Sequence, residues 1–299
     1  HQITWAPTRS RLSWTAVMNN MLSEAIIRPA GSKDSEAIAA LMREGVSEQV
    51  RRITILGSPY LARFIADELT RNKNDEYVVC TMREQVVGMC AWRHTDTALH
   101  LNHLYLAQNV RGQGLGTALL LDGLSRIRRA SQHKLSTDVF FDTPRAQAWY
   151  RSLSMRSEKH VHWIQVSLPR SISNGERRCT ISGVEEAAAD HLRYGFSHFV
   201  LTTDSSSYQV GRLGPDLFRI GTFAILQDPV ALQGLARFDA ERQLVCSGPA
   251  GDCAALSPGT NAVVAESERL VSSCATVMEH LESSLPRRRH SFQSISVRI

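Results

Sequence analysis

The sequence predicts a mixed α/β protein, and three observations carry that expectation. Short apolar runs alternate with amphipathic helical patterns along the chain. Consecutive strand-like runs between residues 76 and 108 are joined so closely that they must pair antiparallel. A strand–helix–strand passage then follows, whose crossover must be parallel. At 299 residues and 43% hydrophobic content, the chain is long and apolar enough for a real core and for two domains. Charged residues are 21%, which argues against a disordered chain. The formal net charge of +5 is mild: it favours acidic ligands such as phosphates without demanding nucleic acid.

The elements follow in order. Glu24–Ala30 reads as a first strand. Asp34 or Ser35 caps a helix with Ile38, Leu41 and Met42 on one face. Ser58 as cap and Pro59 in the first turn open a second helix carrying Leu61, Phe64, Ile65 and Leu69. Residues 76–94 split into two strands at a polar turn near Arg83–Gln85, and Ala98–Gln108 alternates as a third. The glycine-rich stretch NVRGQGLGTALLLDGLSRIRRA (Asn109–Ala130) then leads into a helix. Lys134–Thr143 is a strand, Pro144 starts a short helix, and His160–Leu168 is a closing strand. The order β-α-α-β-β-β-α-β-α-β fills roughly 150 residues, near the usual domain size.

Pro169–Arg178 reads as a linker. Beyond it lie a helix over Gly183–Gly195, strands at His198–Thr203, Leu217–Gly221 and Gln243–Ser247, and a helical stretch over Glu268–Leu285. The basic tail Pro286–His290 follows. These outline a second, smaller α+β domain, and no sequence repeat maps it onto the first. The expected division is an N-terminal extension over 1–20, a domain over 21–170 and another over 171–299. Met18 or Met21 is the natural start of the folded part.

The six cysteines form no C-x-x-C pair, so a zinc reading is weak and no metal is expected. Cys80 and Cys90 lie in apolar strand-like runs, the ordinary setting of buried thiols, and a reducing, cytoplasmic environment is expected. No apolar run approaches the ~20 residues of a membrane span. The first twenty residues have neither the apolar core nor the cleavage site of a signal peptide.

The glycine-rich stretch carries the chemistry. A helix N-terminus has unpaired N–H groups and a partial positive charge, so it attracts phosphate. Gly112, Gly114 and Gly116 let the backbone approach a ligand without Cβ collisions, and Arg111 adds a forked cation. The bland alternative is a tight turn that binds nothing. The spacing is not that of a Walker loop. It is not a Rossmann loop either, because His133 and Lys134 stand where an acid is required.

Arg111, Gly114 and Gly116, within VRGQGLGTALL after an apolar strand, resemble the acyl-CoA-binding motif of the GNAT acyltransferases. IIRPAGSKDSEAIAALM looks like that family's opening strand and helix. DTPRAQAWYRSLSM is similar to its later helix motif, with Thr143 for the usual Asn and Ser154–Met155 for the usual Gly-Phe. The likeness spans about residues 24–168. It implies a GNAT-like, mostly antiparallel sheet flanked by helices, with acetyl-CoA as the acyl-donor cosubstrate. Main-chain groups of Gly112, Gln113, Gly114, Leu115, Gly116 and Thr117, with Arg111 beside them, would hold the pyrophosphate. Main-chain groups of Leu104 and Leu106 would pair with the pantetheine arm. Tyr150 would be the general acid that protonates the departing thiolate.

Family members often place a Glu base on the central strand. Here that strand, LHLNHLYL, has no carboxylate, and His100 or His103 is the candidate base. Three apart on an unbulged strand, the two point to opposite faces, so at most one would face the acceptor. The implied reaction is transfer of an acetyl or short acyl group to a primary amine, small molecule or peptide, by direct attack in a ternary complex. The alternative is a non-catalytic acyl-CoA sensor or interaction module on the same fold, which the missing carboxylate and the altered Leu153–Met155 turn favour.

Other candidates are weaker. His160 and His162 share a strand face without the further ligands a metal needs. Asp142 reads as a capping or turn residue, and Arg126–Ala130 as a solvated helix face. Pro286–His290 lacks the interleaved aromatics of a nucleic-acid surface. The second part is faintly similar to SUKH-type domains; a specificity domain or a homodimerisation module are the other readings.

Overall fold

The computed structural model describes residues 24–71, 75–169, 179–253 and 262–285. The N-terminal extension with Met18 and Met21, almost all of the linker, and the basic tail lie outside them. In the first half, β1 (Ile26–Pro29) leads through α1 (Ser35–Glu44), α2 (Glu48–Ile53) and α3 (Leu61–Arg71) into β2 (Asp75–Met82), β3 (Gln85–His94) and β4 (Ala98–Leu106). Helix α4 (Leu115–Arg126) crosses to β5 (Lys134–Phe140), and α5 (Pro144–Ser152) to β6 (Arg156–Val166). This is the expected order with one helix added: α2, whose N-cap Ser47 accepts a bond from the Val50 amide. Strands β2 and β3 join through Arg83 and Glu84 at φ 48° and 67°, the paired positive φ of a two-residue hairpin.

The second half runs β7 (Thr180–Ser182), α6 (Val184–Tyr194), β8 (Phe196–Thr202), β9 (Ser207–Leu213) and β10 (Leu217–Ile220). It continues through α7 (Pro229–Phe238), β11 (Gln243–Pro249), the single turn α8 (Ala250–Cys253), β12 (Ala262–Ser273) and α9 (Cys274–Ser284). Two features correct the sequence expectation. Asp228 and Pro229 form an N-cap and first-turn pair that opens α7, which had not been expected. Residues 268–273, expected helical, belong to β12; the helix starts only after the Ser273 cap, which accepts from the Thr276 amide. Strand β12 has partners on both edges, and pairing there overrides a local helical pattern.

All twelve strands form one mixed, largely antiparallel sheet in the order β1-β2-β3-β4-β5-β12-β6-β11-β10-β9-β8-β7. Exchanging each strand with the one six places away returns the same order read backwards. The fold is therefore a topological repeat about an axis between β12 and β6, with the two last strands exchanged between halves. Register confirms it: β4 pairs parallel with β5 from Ala98↔Lys134, and β10 with β11 from Leu217↔Gln243. The halves share burial rather than residue identity. Leu99, Leu135 and Leu270 correspond to Phe218, Leu244 and Ile164, and all six are fully buried. The second half, expected to be a domain unrelated by any sequence repeat to the first, thus has the strand order of the first.

Helix α4 covers one face of the first half. It sits so close that a Cβ on Gly123 would lie 2.2 Å from the Trp92 ring. Helix α9 joins it there through Cys274, Val277 and Leu281. Helices α1 and α3 cover the other face, with Ile38, Met42, Leu61 and Ile65 against Val79, Met89 and Ala91. Helix α2 reaches across: Ile53 is buried among Trp163, Leu213, Leu217 and Val245. Cys80 and Cys90 are fully buried, and burial pushes their thiols up to about 11 and about 12.

The turn after α5 keeps its left-handed geometry without glycine. Ser154 stands at φ 59°, and the Ser154 and Met155 amides donate back to Arg151 and Tyr150. A β-carbon in that region is strained. Ser154→Gly is expected to stabilise the protein by about 0.5–1 kcal/mol, less what the exposed Ser154–His280 contact contributes. Urea unfolding checks this; a midpoint that falls would show that the strain is not there.

Candidate active site

The site forms where β4 and β5 part. They pair over four residues only, up to Leu101 and Thr137, although both strands run on. Thr137 Oγ1 donates to the Leu101 carbonyl at 2.9 Å and pins the fork. Beyond it opens a cleft of about 640 Å³, with Asn102–Leu106 on one wall, Asp138–Phe140 and the start of α5 on the other, and Arg111, Gly112, Gly114, Gly116 and Thr117 along its rim.

Gly112 and Gly114 adopt φ of 79° and 82°, and Gly114 is the left-handed N-cap of α4. Among the described residues no side chain caps the first amides of α4. Arg111 Nε donates to the Leu106 carbonyl at 2.9 Å, and Gln113 Nε2 to Asn109 at 2.9 Å, which folds the turn back on β4. Gly112 also makes room for a residue that sequence reasoning missed: its Cβ would lie 2.9 Å from Arg145 Nη2. Arg145 lines the cleft and makes no hydrogen bond or ion pair among the described residues. Its place directly after Pro144 in the DTPRA segment was the available signal.

Tyr150 is 6% exposed, lines the cleft and lies near the Thr137 hydroxyl. Burial pushes its phenol well above the ordinary range, so it stays protonated at neutral pH. Trp149 lies against it with ring centroids 4.9 Å apart.

The two histidines correct the unbulged-strand expectation. Ala91 faces His103 and Trp92 faces Leu101, which leaves Asn102 as an extra residue in β4. The bulge turns His100 and His103 to the same face, opposite Arg93 and Ala91 of β3. Asn102 Nδ2 donates to Asp75 at 2.7 Å, and Asp75 also holds Arg93. His100 Nδ1 meets Ser136 Oγ at 2.9 Å, and its Nε2 is 3.8 Å from Asp138. His103 lines the cleft and stacks on Tyr105. Burial lowers both imidazoles, His103 to about 4. At the end of α1, Gly45 backs onto the Tyr105 ring, which a Cβ would approach to 2.0 Å.

The remaining candidates fall elsewhere or change role. His160 and His162 each approach a β12 carboxylate, Glu268 and Glu266, at 3.5 Å. Asp142 is in the turn as expected but caps nothing; it lines the cleft without a hydrogen bond or ion pair among the described residues. The Thr143 hydroxyl donates to the Phe140 carbonyl and does not cap α5.

The equivalent place in the second half is closed. The segment between β10 and α7, GTFAILQD, has no arginine–glycine turn. Asp228 places a carboxylate at the start of α7, accepting from the Ala231 amide, Thr203 and Tyr208 at 3.0, 2.8 and 3.1 Å. Phe223 packs on Gly248, whose Cβ would lie 2.7 Å from its ring.

Residues 73–153, from the start of β2 to the end of α5, match the family described as Acetyltransferase (GNAT) domain. These residues are a GNAT domain. The family's general chemistry is acyl transfer from an acyl-CoA, and the match includes the glycine turn, both histidines and Tyr150. Over most of its length the chain is similar in fold to a tandem GNAT protein from the clavulanic acid biosynthesis pathway: 13% identity, 84% of this chain, 99% of that one, TM-score 0.56. It is likewise similar to a GCN5-related N-acetyltransferase from Sphaerobacter thermophilus: 14% identity, 84% and 96% coverage, TM-score 0.54. No curated protein matches the sequence. No helix among the described residues is long and apolar enough to cross a membrane.

The half-buried His103 gives a testable linkage. Its folded pKa of about 4 lies below the unfolded value near 6.5. The unfolded chain therefore binds the extra proton first, and this residue's contribution to stability is lost as pH falls from 6.5 towards 4. NMR titration of the GNAT domain in the full chain should find one imidazole neutral down to about pH 4, absent in His103→Gln. A His103 midpoint near 6.5 would show the ring to be solvated.

Proposed function

We propose that the GNAT cleft transfers an acetyl or short acyl group from acetyl-CoA to a primary amine by direct attack. The observation that carries this reading is the uncapped glycine turn at the rim of a cleft whose inner wall holds a buried, protonated Tyr150. The amides of the glycine turn and of the start of α4, from Gly112 to Thr117, with Arg111 and Arg145, are the donors a pyrophosphate needs. The main chain of Leu104 and Leu106, on the stretch of β4 that β5 leaves, is the partner for an extended pantetheine arm. Acetyl-CoA supplies an acyl group activated as a thioester.

The protein's own groups move the protons. An ammonium has no lone pair, so one proton must leave the amine before attack. His103, which lines the cleft, or His100 behind it through a water, is neutral at pH 7, takes this proton and passes it to solvent. The N–C bond then forms as the C–S bond breaks. Tyr150 gives its phenolic proton to the thiolate, and the second proton shed by the nitrogen replaces it. Much of the rate comes from holding amine and thioester together. In this reading residues 21–170 act as the acyl-transfer domain, and 171–299, with the closed second cleft, support it. In this reading the acceptor is a small amine or a peptide, and nucleic acid has no role.

Calorimetric titration with acetyl-CoA, followed by thiol-release assays on an amine panel, tests the reading. Binding without turnover on any amine would favour the sensor alternative; no binding would sink both. Tyr150→Phe should lower kcat by about a hundredfold or more with acetyl-CoA affinity nearly unchanged. Full turnover in that variant at every pH removes Tyr150 as the acid. Gly112→Val, which forces a β-branched residue to positive φ and into Arg145, should weaken acetyl-CoA binding about tenfold or more. Unchanged affinity would place the phosphates elsewhere.

A further inference from the structure

The exchanged strand brings a residue of the second half to the acceptor side of the GNAT cleft. Arg269 of β12 faces Asp138 of β5 in register. Its guanidinium makes two parallel bonds to that carboxylate, Nε to Oδ1 and Nη2 to Oδ2, both at 2.8 Å. Asp138 lines the cleft, and its Oδ2 is the oxygen 3.8 Å from His100 Nε2. Ser136 meets the other ring nitrogen. The imidazole is thus flanked at both nitrogens by β5, and the carboxylate on one side is oriented from β12.

The repeat shows that this ion pair is not something the topology demands. By register, His100, Asp138 and Arg269 correspond to Arg219, Ser247 and Trp163 in the closed half. There the Arg219 guanidinium lies over the Trp163 ring at 4.8 Å, and no carboxylate stands at the middle position. The carboxylate–guanidinium pair belongs only to the half whose cleft is open.

We propose that Arg269 is a positioning residue for acyl transfer in the GNAT domain: it fixes Asp138, a carboxylate of the cleft wall, beside His100, so that the second half completes the active site and His100, which lies behind that wall and reaches the amine through a water, is the base rather than His103. This rests on the acyl-transfer reading above. The groups that bear on His100 are Asp138 on β5, Arg269 on β12, Arg93 on β3, Asp75 on β2 and His103 on its own strand. Asp75 is tied to Arg93 and Asn102, which leaves the Asp138–Arg269 pair as the adjustable one.

The test is the midpoint of His100 by NMR in the full chain carrying ¹³C-labelled histidine, its resonance assigned by loss in His100→Gln, beside the pH profile of kcat/KM. The base works only when neutral, so activity falls as pH drops through the His100 pKa. Arg269→Met removes a cation and frees Asp138; it should raise the midpoint and move the acidic limb up by about half a pH unit, the scale of one screened charge. Asp138→Asn should move both down by a similar amount. Arg269→Lys, which keeps the charge, should restore most of the wild-type midpoint and controls for strand register, with thermal melting as the check on folding. Opposite shifts in the Met and Asn variants are what a merely structural pair would not produce. A folded Arg269→Met protein with an unmoved midpoint overturns the proposal. An acidic limb that survives in His100→Gln also overturns it, while leaving acyl transfer itself standing. Failure of the wild-type protein to release thiol with any amine instead overturns the functional reading, and the proposal with it.

Discussion

A strand that leaves its neighbour exposes a row of backbone donors and acceptors, and this structure depends on how that row is managed. The cleft exists because β5 pairs with β4 over four residues and then parts from it. A strand held on one edge only by four pairs would be a poor wall for a precise site. Its other edge is therefore paired along its whole length, Lys134–Phe140 against Ser273–Ser267 of β12. The exchanged strand satisfies the backbone that the fork would otherwise leave to one partner. It also delivers Ser267, which accepts from the Trp163 indole, and the fully buried Glu268, which is bound by Arg151 of α5. The helix that carries Tyr150 is thereby tied to the exchanged strand as well as to its own half.

The same geometry in the second half meets a different end. Strands β10 and β11 pair over four residues as β4 and β5 do. A helix N-terminus there also has amides to satisfy, and Asp228 caps one of them, that of Ala231, from within the chain. That carboxylate is held below the usual range by hydrogen bonds from Ala231, Thr203, Tyr208 and Ser205, which outweigh its desolvation. A fixed anion at the start of α7 removes any electrostatic attraction for a phosphate. Ile53 of α2 packs separately, on Leu217 and Val245 in the paired stretch of these strands. Two open clefts would have required two uncapped helix ends; one is kept open, and the other is capped from within its own half.

The sequence showed much of this and hid the rest for identifiable reasons. Local signals were legible: the two-residue hairpin at Arg83–Glu84, the Pro144 helix start, and glycines at 112 and 114 that stand where positive φ is needed. The repeat was not legible, because it is conserved as burial and register. Leu99 and Phe218 fill equivalent places, yet no residue pattern equates them. The bulge at Asn102 was invisible because nothing in LHLNHLYL marks an extra residue; its cause is a side chain that bonds Asp75 on another strand. The placement of Arg269 was hidden for the same reason: a contact across 131 residues leaves no local period.

Burial does one further thing at this site. It pushes the Tyr150 phenol up and the His100 and His103 imidazoles down, a single cause acting on groups of opposite charge type. Each group is driven towards its neutral form: the phenol keeps a proton to give, and the imidazole keeps a lone pair to take one. Two groups with those states held apart are what paired acid and base steps require at one pH. The cations stay outside this region, at Arg111 and Arg145 beside the glycine turn, or in Arg93 and Arg269, each bound to its own carboxylate. The cleft thus has cations beside the glycine turn, suited to phosphate, and the neutral Tyr150 and His103 deeper in its wall, with the carboxylates of Asp138 and Asp142 also lining it.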